Sequence, residues 1–332
     1  MKHITESLDI EIYSSRLTDF YFNGLQAATM DIETTGLSAS RSKFILGGLL
    51  TFEDRRFCQY FAQTESEEAE ALFKYMDELS RLDVIVTYNG RHFDMPFILS
   101  RYRQITGAEY TGHLPYNFDL YLLLNGHSPV KHFVPNLKQK TIENYMGLWT
   151  DRTDEIDGAQ SVELYKEYER TQDSELGRRI LLHNSDDVIQ LARLLKITSK
   201  CDMHKGMYKC GFPVGDLTVS RINISRDFLE YEGVQRGNPV NYRCYDIDGY
   251  PAYVDFSRDS RSFIFKVPII RQKGIAVIDL FASGIDYSPL LDYPSCSSGF
   301  LAIESNSTQN HMEINHFIKL FTGHAARIMG RN

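Results

Sequence analysis

Asp31 and Glu33 stand two residues apart at the end of an apolar run, AATMDIE at 27–33. On a strand, residues i and i+2 point to one face, so the run predicts a buried strand that ends with two carboxylates side by side. Such a pair repels and is costly unless something cationic sits between them. A chain that keeps it needs a sheet to hold the strand and a use for the charge.

Two further acidic strings follow in order, YNGRHFDMPF at 88–97 and HNSDDV at 183–188. DVIVTY at 83–88 reads as a strand, and Asn89-Gly90 closes it with a turn signal of the type I′ kind. Asp94 falls at the start of a helix beginning near His92, where a carboxylate is favoured and Pro96 is tolerated. In the third string, helical spacing separates the two neighbouring acids. Asp187 shares an inward stripe with Ile180, Asn184, Leu191 and Leu194, whereas Asp186 aligns with Arg179, Gln190 and Arg193, an exposed polar row. Asp187 is therefore the acid aimed at the sheet, and His183, one turn earlier, points to the same side.

The segments between these strings fill in a mixed sheet flanked by helices. FILGGLLTFE at 44–53 and RFCQYFAQ at 56–63 read as strands joined by a tight turn at Asp54 and Arg55. Residues 65–79 predict a helix with an apolar stripe of Leu72, Tyr75, Met76 and Leu79, and its glutamates cluster in the first turns. NFDLYLLL at 117–124 reads as a fifth strand, followed by three helices over 137–148, 157–170 and 174–200. Strands and helices in that order indicate an α/β fold. After about residue 204 the texture changes. RSFIFKVPII and GIAVIDL alternate, turn residues multiply, and HMEINHFIKLF reads as a closing helix, so domains of 1–203 and 204–332 are expected, the second β-rich.

Asp31, Glu33, Asp94 and Asp187 offer hard oxygen donors and no thiolate, which suits two Mg²⁺ or Mn²⁺ ions rather than zinc. Ions about 3.5–4 Å apart clamp an attacking water and a leaving oxygen, while His183 could take the water's proton. Each piece also has a plainer role: Asp94 as a helix cap, His183 as a satisfied core residue, Asn89 as a turn residue. The net charge of −8 is uneven, with 14 Lys+Arg against 13 Asp+Glu after residue 203 and 22 against 31 before it. That balance argues against a protein that coats nucleic acid through bulk charge, though not against an enzyme with an acidic centre and a few local bases. Five cysteines without a C-x-x-C pair fit a reducing cytoplasm. Neither a signal peptide nor an apolar run of about 18 residues is present, so no membrane association is expected.

D-I-E-T-T-G-L at 31–37, N-G-x-x-F-D-x-P-F at 89–97 and the H-N-x-x-D-V string resemble the DEDD superfamily of ribonuclease H-like 3′–5′ exonucleases. Together with P-N-L-K-Q-K-T-I-E-N-Y-M-G-L at 135–148, they look most like the YprB-type predicted exonucleases. The resemblance covers about residues 25–200. It implies a ribonuclease H-like sheet, metal binding by Asp31, Glu33, Asp94 and Asp187, and support of a terminal nucleotide by the loop Thr34, Thr35, Gly36 and Leu37. It puts the general base five residues before the last Asp as His, or four before it as Tyr. Here His183 stands four before Asp187, with the tyrosine spacing and the histidine residue.

The expected activity is divalent-metal-dependent phosphodiester hydrolysis, most simply 3′–5′ removal of nucleotides from single-stranded or frayed DNA or RNA ends. A structure-specific endonuclease and a non-catalytic nucleic-acid-binding module are the alternatives. Asn89 could steady the second string, and Arg41, Lys43, Arg91, His92, Lys138 and Lys140 could meet phosphates or simply be solvated. Tyr242, Tyr245, Tyr250, Tyr253, Phe256, Phe263 and Phe265 could form a stacking platform. A buried aromatic face of alternating strands is the simpler reading.

Overall fold

Residues buried on both faces of a strand belong at the middle of a sheet, and 44–51 are the extreme case, with every residue from Phe44 to Leu50 buried. The computed structural model describes residues 1–148 and 158–330, and it divides into two compact units, Met1–Cys201 and Asp202–Asn332. In the first unit the strands are β1 (Lys2–Ser7), β2 (Ala27–Thr34), β3 (Phe44–Thr51), β4 (Arg56–Phe61), β5 (Val84–Thr87) and β6 (Tyr116–Asp119). The helices are α1 (Arg16–Phe22), α2 (Glu68–Leu79), α3 (Asp94–Thr106), α4 (Leu120–His127), α5 (Gln139–Tyr145), α6 (Gly158–Thr171) and α7 (Ser174–Leu194). The sheet order is β1-β4-β3-β2-β5-β6; β2 pairs antiparallel with β3 and parallel with β5, so the acid-bearing strand is central.

Most predicted elements form, with instructive exceptions. The 117–124 run is strand only to Asp119. That carboxylate accepts the backbone N–H groups of Tyr121 and Leu122, and the capped apolar run continues as α4. The polar edge strand β1 and the helix α1 carry no apolar period strong enough to announce them. Asp157, with which one predicted helix starts, lies outside the described residues; α6 begins at Gly158.

Two glycines set how closely layers approach this sheet. A Cβ on Gly47 would meet the Tyr75 ring of α2 at 2.6 Å on one face. On the other face, a Cβ on Gly48 would fall on the Asn184 amide of α7 and meet Val188 at 2.9 Å. Gly48 is the register partner of Asp31, so this missing side chain is what lets α7 lie directly over the acids.

The second unit comprises α8 (Met203–Cys210), β7 (Phe212–Val214), β8 (Leu217–Ile224), β9 (Phe228–Gln235), β10 (Tyr242–Cys244), β11 (Tyr253–Ser257), β12 (Ser262–Pro268), β13 (Ile270–Gln272), β14 (Ile275–Asp279), β15 (Cys296–Ser297), β16 (Phe300–Ser305), β17 (Thr308–Gln309) and α9 (His311–Ile328). Strands β7–β12 form one antiparallel sheet in the order β10-β11-β12-β9-β8-β7, and β13–β17 form another. Phe256, Phe263, Phe265 and Tyr250 are buried, and Phe265 and Tyr250 pack against Phe321 of α9. The alternation therefore builds a core here. Tyr245 stays exposed, and the Tyr253 hydroxyl donates to Asp255 rather than packing inward.

Substituting Gly48→Ala is expected to destabilise the protein by about 1–3 kcal/mol through overpacking against Asn184 and Val188. Urea unfolding of this variant beside Gly126→Ala, whose added methyl meets nothing within 4 Å and whose backbone is not left-handed, provides the check. Equal losses would show that the close approach of α7 is not what Gly48 serves.

Candidate active site

The period-two alternation of β2 sends Ala28, Met30 and Ile32 into the apolar core with Tyr75 and Phe97. Thr29, Asp31 and Glu33 thus face α7. Thr29 Oγ1 donates to the Val188 carbonyl at 3.0 Å, fixing helix to strand below the acids. Asn184 Nδ2 donates to Asp31 Oδ2 at 3.0 Å and to its carbonyl at 3.2 Å, while Asn184 Oδ1 accepts from Gln59 Nε2 at 3.0 Å. Glu33 is 7% exposed; its Oε2 accepts from Ser161 Oγ of α6 at 2.9 Å. Its Oε1 lies 3.7 Å from His183 Nε2, which in turn lies 3.8 Å from Asp187 Oδ2.

Asp94 arrives from the other strand ends. It opens α3 and is 6% exposed, and the backbone N–H of Ile32 lies near enough to favour its charged form. Strand β5 stops pairing with β2 at Thr29, so the side chain of Asp94 occupies the edge that β5 has left. The preceding turn differs from the type I′ expectation, because only Asn89 has a positive φ, at 67°. Gly90 is required instead by proximity: a Cβ there would meet the Thr87 side chain at 2.5 Å.

The charges of the other three acids bear on Asp31. Burial, then Asp187, Glu33 and Asp94, hold the Asp31 carboxyl well above the usual carboxylate range, against the opposing bond from Asn184. Burial, then the negative charges of Asp119 and Glu33, push Asp94 up to about 7, although its own N–H and that of Ile32 act the other way. Among the described residues, no three His, Cys, Asp or Glu side chains are already drawn round a single point at metal-ligand spacing. His183 instead stands between Glu33 and Asp187, while Asn184 donates to Asp31 and Ser161 to Glu33. A buried all-oxygen cluster that strains against its own charge is chemistry that hard divalent cations fit.

Sequence reasoning missed Asp119 and misplaced Asp186. Asp119 is 3% exposed and accepts from the backbone N–H groups of Asn89 and Arg91 at 2.9 and 3.0 Å, so it shapes the turn that delivers Asp94. An Asp at the junction of an apolar strand and an apolar helix was the available signal. Asp186 is 8% exposed and Gln190 1% exposed, so their row is not a solvent face. Helix α7 is packed by the sheet and also by α5 and α6, which buries more than one of its stripes.

The loop after the acids is ordered internally. Thr34 Oγ1 donates to the Gly36 carbonyl at 2.9 Å, Thr35 Oγ1 accepts from the Lys43 N–H at 2.8 Å, and the Arg101 guanidinium holds the Ala39 carbonyl at 3.0 Å. Leu37 at its tip is 87% exposed. Asn89 Oδ1 sits 3.2 Å from His92 Nδ1. Two of the candidate phosphate contacts are committed elsewhere: Arg91 bonds the Asn117 carbonyl and lies over the Tyr116 ring, and Lys43 pairs with Glu68 at 3.5 Å.

Residues 28–199 match the family model RNase_H_2, of the RNase_H superfamily. The uncharacterized protein YprB of Bacillus subtilis (strain 168) is 31% identical over 175 residues, which is 51% of this chain and 41% of that protein, so the chain spans about two-fifths of this relative. The structure of the family B DNA polymerase from the hyperthermophilic archaeon Pyrobaculum calidifontis is similar at 19% identity and a TM-score of 0.42, over 52% of this chain and 24% of that one.

The raised Asp94 makes stability depend on pH when chelator is present. Unfolded, it titrates near 3.8, and folded at about 7, so its penalty is absent below about pH 4, grows between, and is full above about pH 7. Chelated protein is expected to be more stable at about pH 5 than at about pH 8, with Asp94 contributing up to about 3 kcal/mol of the difference. Urea midpoints for the parent and Asp94→Asn across that range measure it. A parent profile no steeper than that of the variant would show that Asp94 carries no such penalty.

Proposed function

The chain belongs to the ribonuclease H superfamily, and from that premise we propose that it is a divalent-metal-dependent phosphodiesterase, a 3′–5′ exonuclease of the DEDD kind, acting on single-stranded or frayed DNA or RNA ends. The observation that carries this reading is the placement of His183 Nε2 between Glu33 and Asp187, with the charges of Asp187, Glu33 and Asp94 all bearing on the buried Asp31.

In this reading the four carboxylates hold two Mg²⁺ or Mn²⁺ ions, which supply positive charge to the scissile phosphate and acidity to the attacking water. His183 accepts the proton of that water at Nε2. Glu33 and Asp187, 3.7 and 3.8 Å away, stabilise the imidazolium that results. Asn184 and Ser161 position Asp31 and Glu33 without reaching the reacting atoms. Thr34, Thr35, Gly36 and Leu37 form the seat of the terminal nucleotide, with the exposed Leu37 wedged against its base, and Asn89 borders it. Residues 1–203 would be the exonuclease domain and 204–332 an accessory domain. All five cysteines are free thiols, which supports the cytoplasm as the compartment, and no helix among the described residues is long and apolar enough to cross a membrane.

Matched 5′- and 3′-labelled DNA and RNA oligonucleotides with Mg²⁺ or Mn²⁺ test the proposal beside end-free circles. A descending ladder from the 5′ label, immediate mononucleotide from the 3′ label and intact circles are expected; circles cut as fast as linear strands would overturn the exonuclease reading. Asp31→Asn and Asp187→Asn should each lower the rate by at least ~1,000-fold, and His183→Gln by about 100- to 10,000-fold. Asp31→Asn should also unfold at higher temperature than the parent in chelator, because it removes a buried repulsion. Acid variants that hydrolyse as the parent does would end the catalytic reading.

A further inference from the structure

Beside α7, the segment 129–148 builds a second feature that the acidic centre does not use. A short 3-10 turn, Pro129–His132, delivers Phe133 with 71% of its surface exposed, and α5 ends on Tyr145, 42% exposed. Between them lies a groove of about 490 Å³ lined also by Pro135, Lys140 and Asn144. That volume suits a small planar ligand. Large aromatics left in solvent on either side of a groove are uncommon without a ligand to cover them.

The charge of this segment runs against its surroundings. Lys131, Lys138 and Lys140 fall within these twenty residues, in a half of the chain that is otherwise acidic. Its one acid, Glu143, is fully buried and accepts from Gln139 Nε2 at 2.9 Å, so the exposed charge of the segment is positive. The groove is also braced on the acidic centre. Gln139 Nε2 donates to the Asp187 carbonyl at 3.1 Å, and the Leu137 carbonyl accepts the hydroxyl of Tyr88, the residue before Asn89, at 2.6 Å.

We propose that this groove seats nucleobases of the substrate strand upstream of its reacting end, stacked on Phe133 and Tyr145, with Lys140 and Lys138 at the neighbouring phosphates. The identity of the occupant rests on the nuclease reading. The chemistry favours single-stranded nucleic acid over a protein surface. A base needs π faces, in-plane polar groups such as the Asn144 amide, and a cation for each phosphate. A protein partner needs a far larger continuous patch. An aromatic groove with Lys140 in its lining, and Lys138 exposed two residues before it, offers the first set and not the second. Stacking reads no sequence, so the site would extend grip along the strand while leaving base preference open.

The full chain, as parent, Phe133→Ala/Tyr145→Ala and Lys140→Gln, is titrated with fluorescein-labelled oligo(dT) and oligo(rU) of about 3 to 12 nucleotides in chelator, and the fold of each is checked by thermal unfolding. Hydrolysis of the same oligonucleotides is followed with Mn²⁺. The double variant is expected to weaken binding of the longer strands roughly 5- to 100-fold, to raise KM with kcat kept, and to leave the shortest substrate unaffected. Lys140→Gln should weaken binding at low salt and flatten its salt dependence. Unchanged binding by the double variant, with parental hydrolysis intact, would overturn the groove and spare the nuclease reading. Binding that needs Phe133 and Tyr145 in a parent that hydrolyses nothing would uphold the groove and overturn the nuclease reading.

Discussion

Mutual repulsion among Asp31, Glu33, Asp94 and Asp187 is the interaction round which the first unit is built. Like charges in a low-dielectric setting disperse unless rigid elements fix them. Three kinds of rigidity are used here. Asp31 and Glu33 stand on the central strand of a six-stranded sheet, Asp94 is buried at the start of a helix, and Asp187 rides on a helix of 21 residues. Closing that helix onto the strand needs the absent side chain of Gly48, and the Asn184 amide that fills the space then restrains Asp31. Stability is thus given up at the acids and recovered in the apolar layer on the opposite face of β2, where Met30 and Ile32 pack with Tyr75, Phe97 and Ile98.

Much of this was legible in the residues because period is a strong signal. AATMDIE alternates, so the same-face placement of Asp31 and Glu33 follows from the spacing of side chains along any strand. The i and i+4 relation of His183 and Asp187 is equally local, and it places His183 Nε2 3.8 Å from the Asp187 carboxylate. What failed were inferences needing knowledge of the neighbours. The run 117–124 is apolar without a period that distinguishes strand from helix, and the decision falls to the cap made by Asp119. The row through Asp186 is polar, yet α5 and α6 cover α7 from sides that the wheel of one helix does not reveal. Gly90 looked like a conformational requirement and is a steric one.

The second unit follows simpler rules. Its sheet alternates so that Phe263 and Phe265 of β12 and Phe256 of β11 face inward, and α9 closes the layer with Phe317 and Phe321. The Tyr231 hydroxyl is the polar exception, satisfied by Thr322 at 2.9 Å. Of the residues that could have formed a stacking surface here, only those pointing away from this core remain outside it, and Tyr253 and Arg243 are both tied to Asp255. Aromatic content alone therefore says little about nucleic-acid contact, because most of it is consumed by the core.

The contrast with Phe133 and Tyr145 follows from where each aromatic sits. A strand offers one covered face, so an aromatic on the correct alternate position has a core to enter. Phe133 follows a 3-10 turn and Tyr145 ends a short helix whose buried side is already filled by Ile142 and Glu143. Both rings keep a face in solvent, with Phe133 71% and Tyr145 42% exposed. A polyanionic strand approaching an acidic centre meets repulsion until it is held elsewhere, and affinity must come from contacts displaced from the charge. Under the proposed reading, the groove lined by Lys140 and braced through Gln139 on the backbone of Asp187 would supply that hold next to the acids without adding a cation among them.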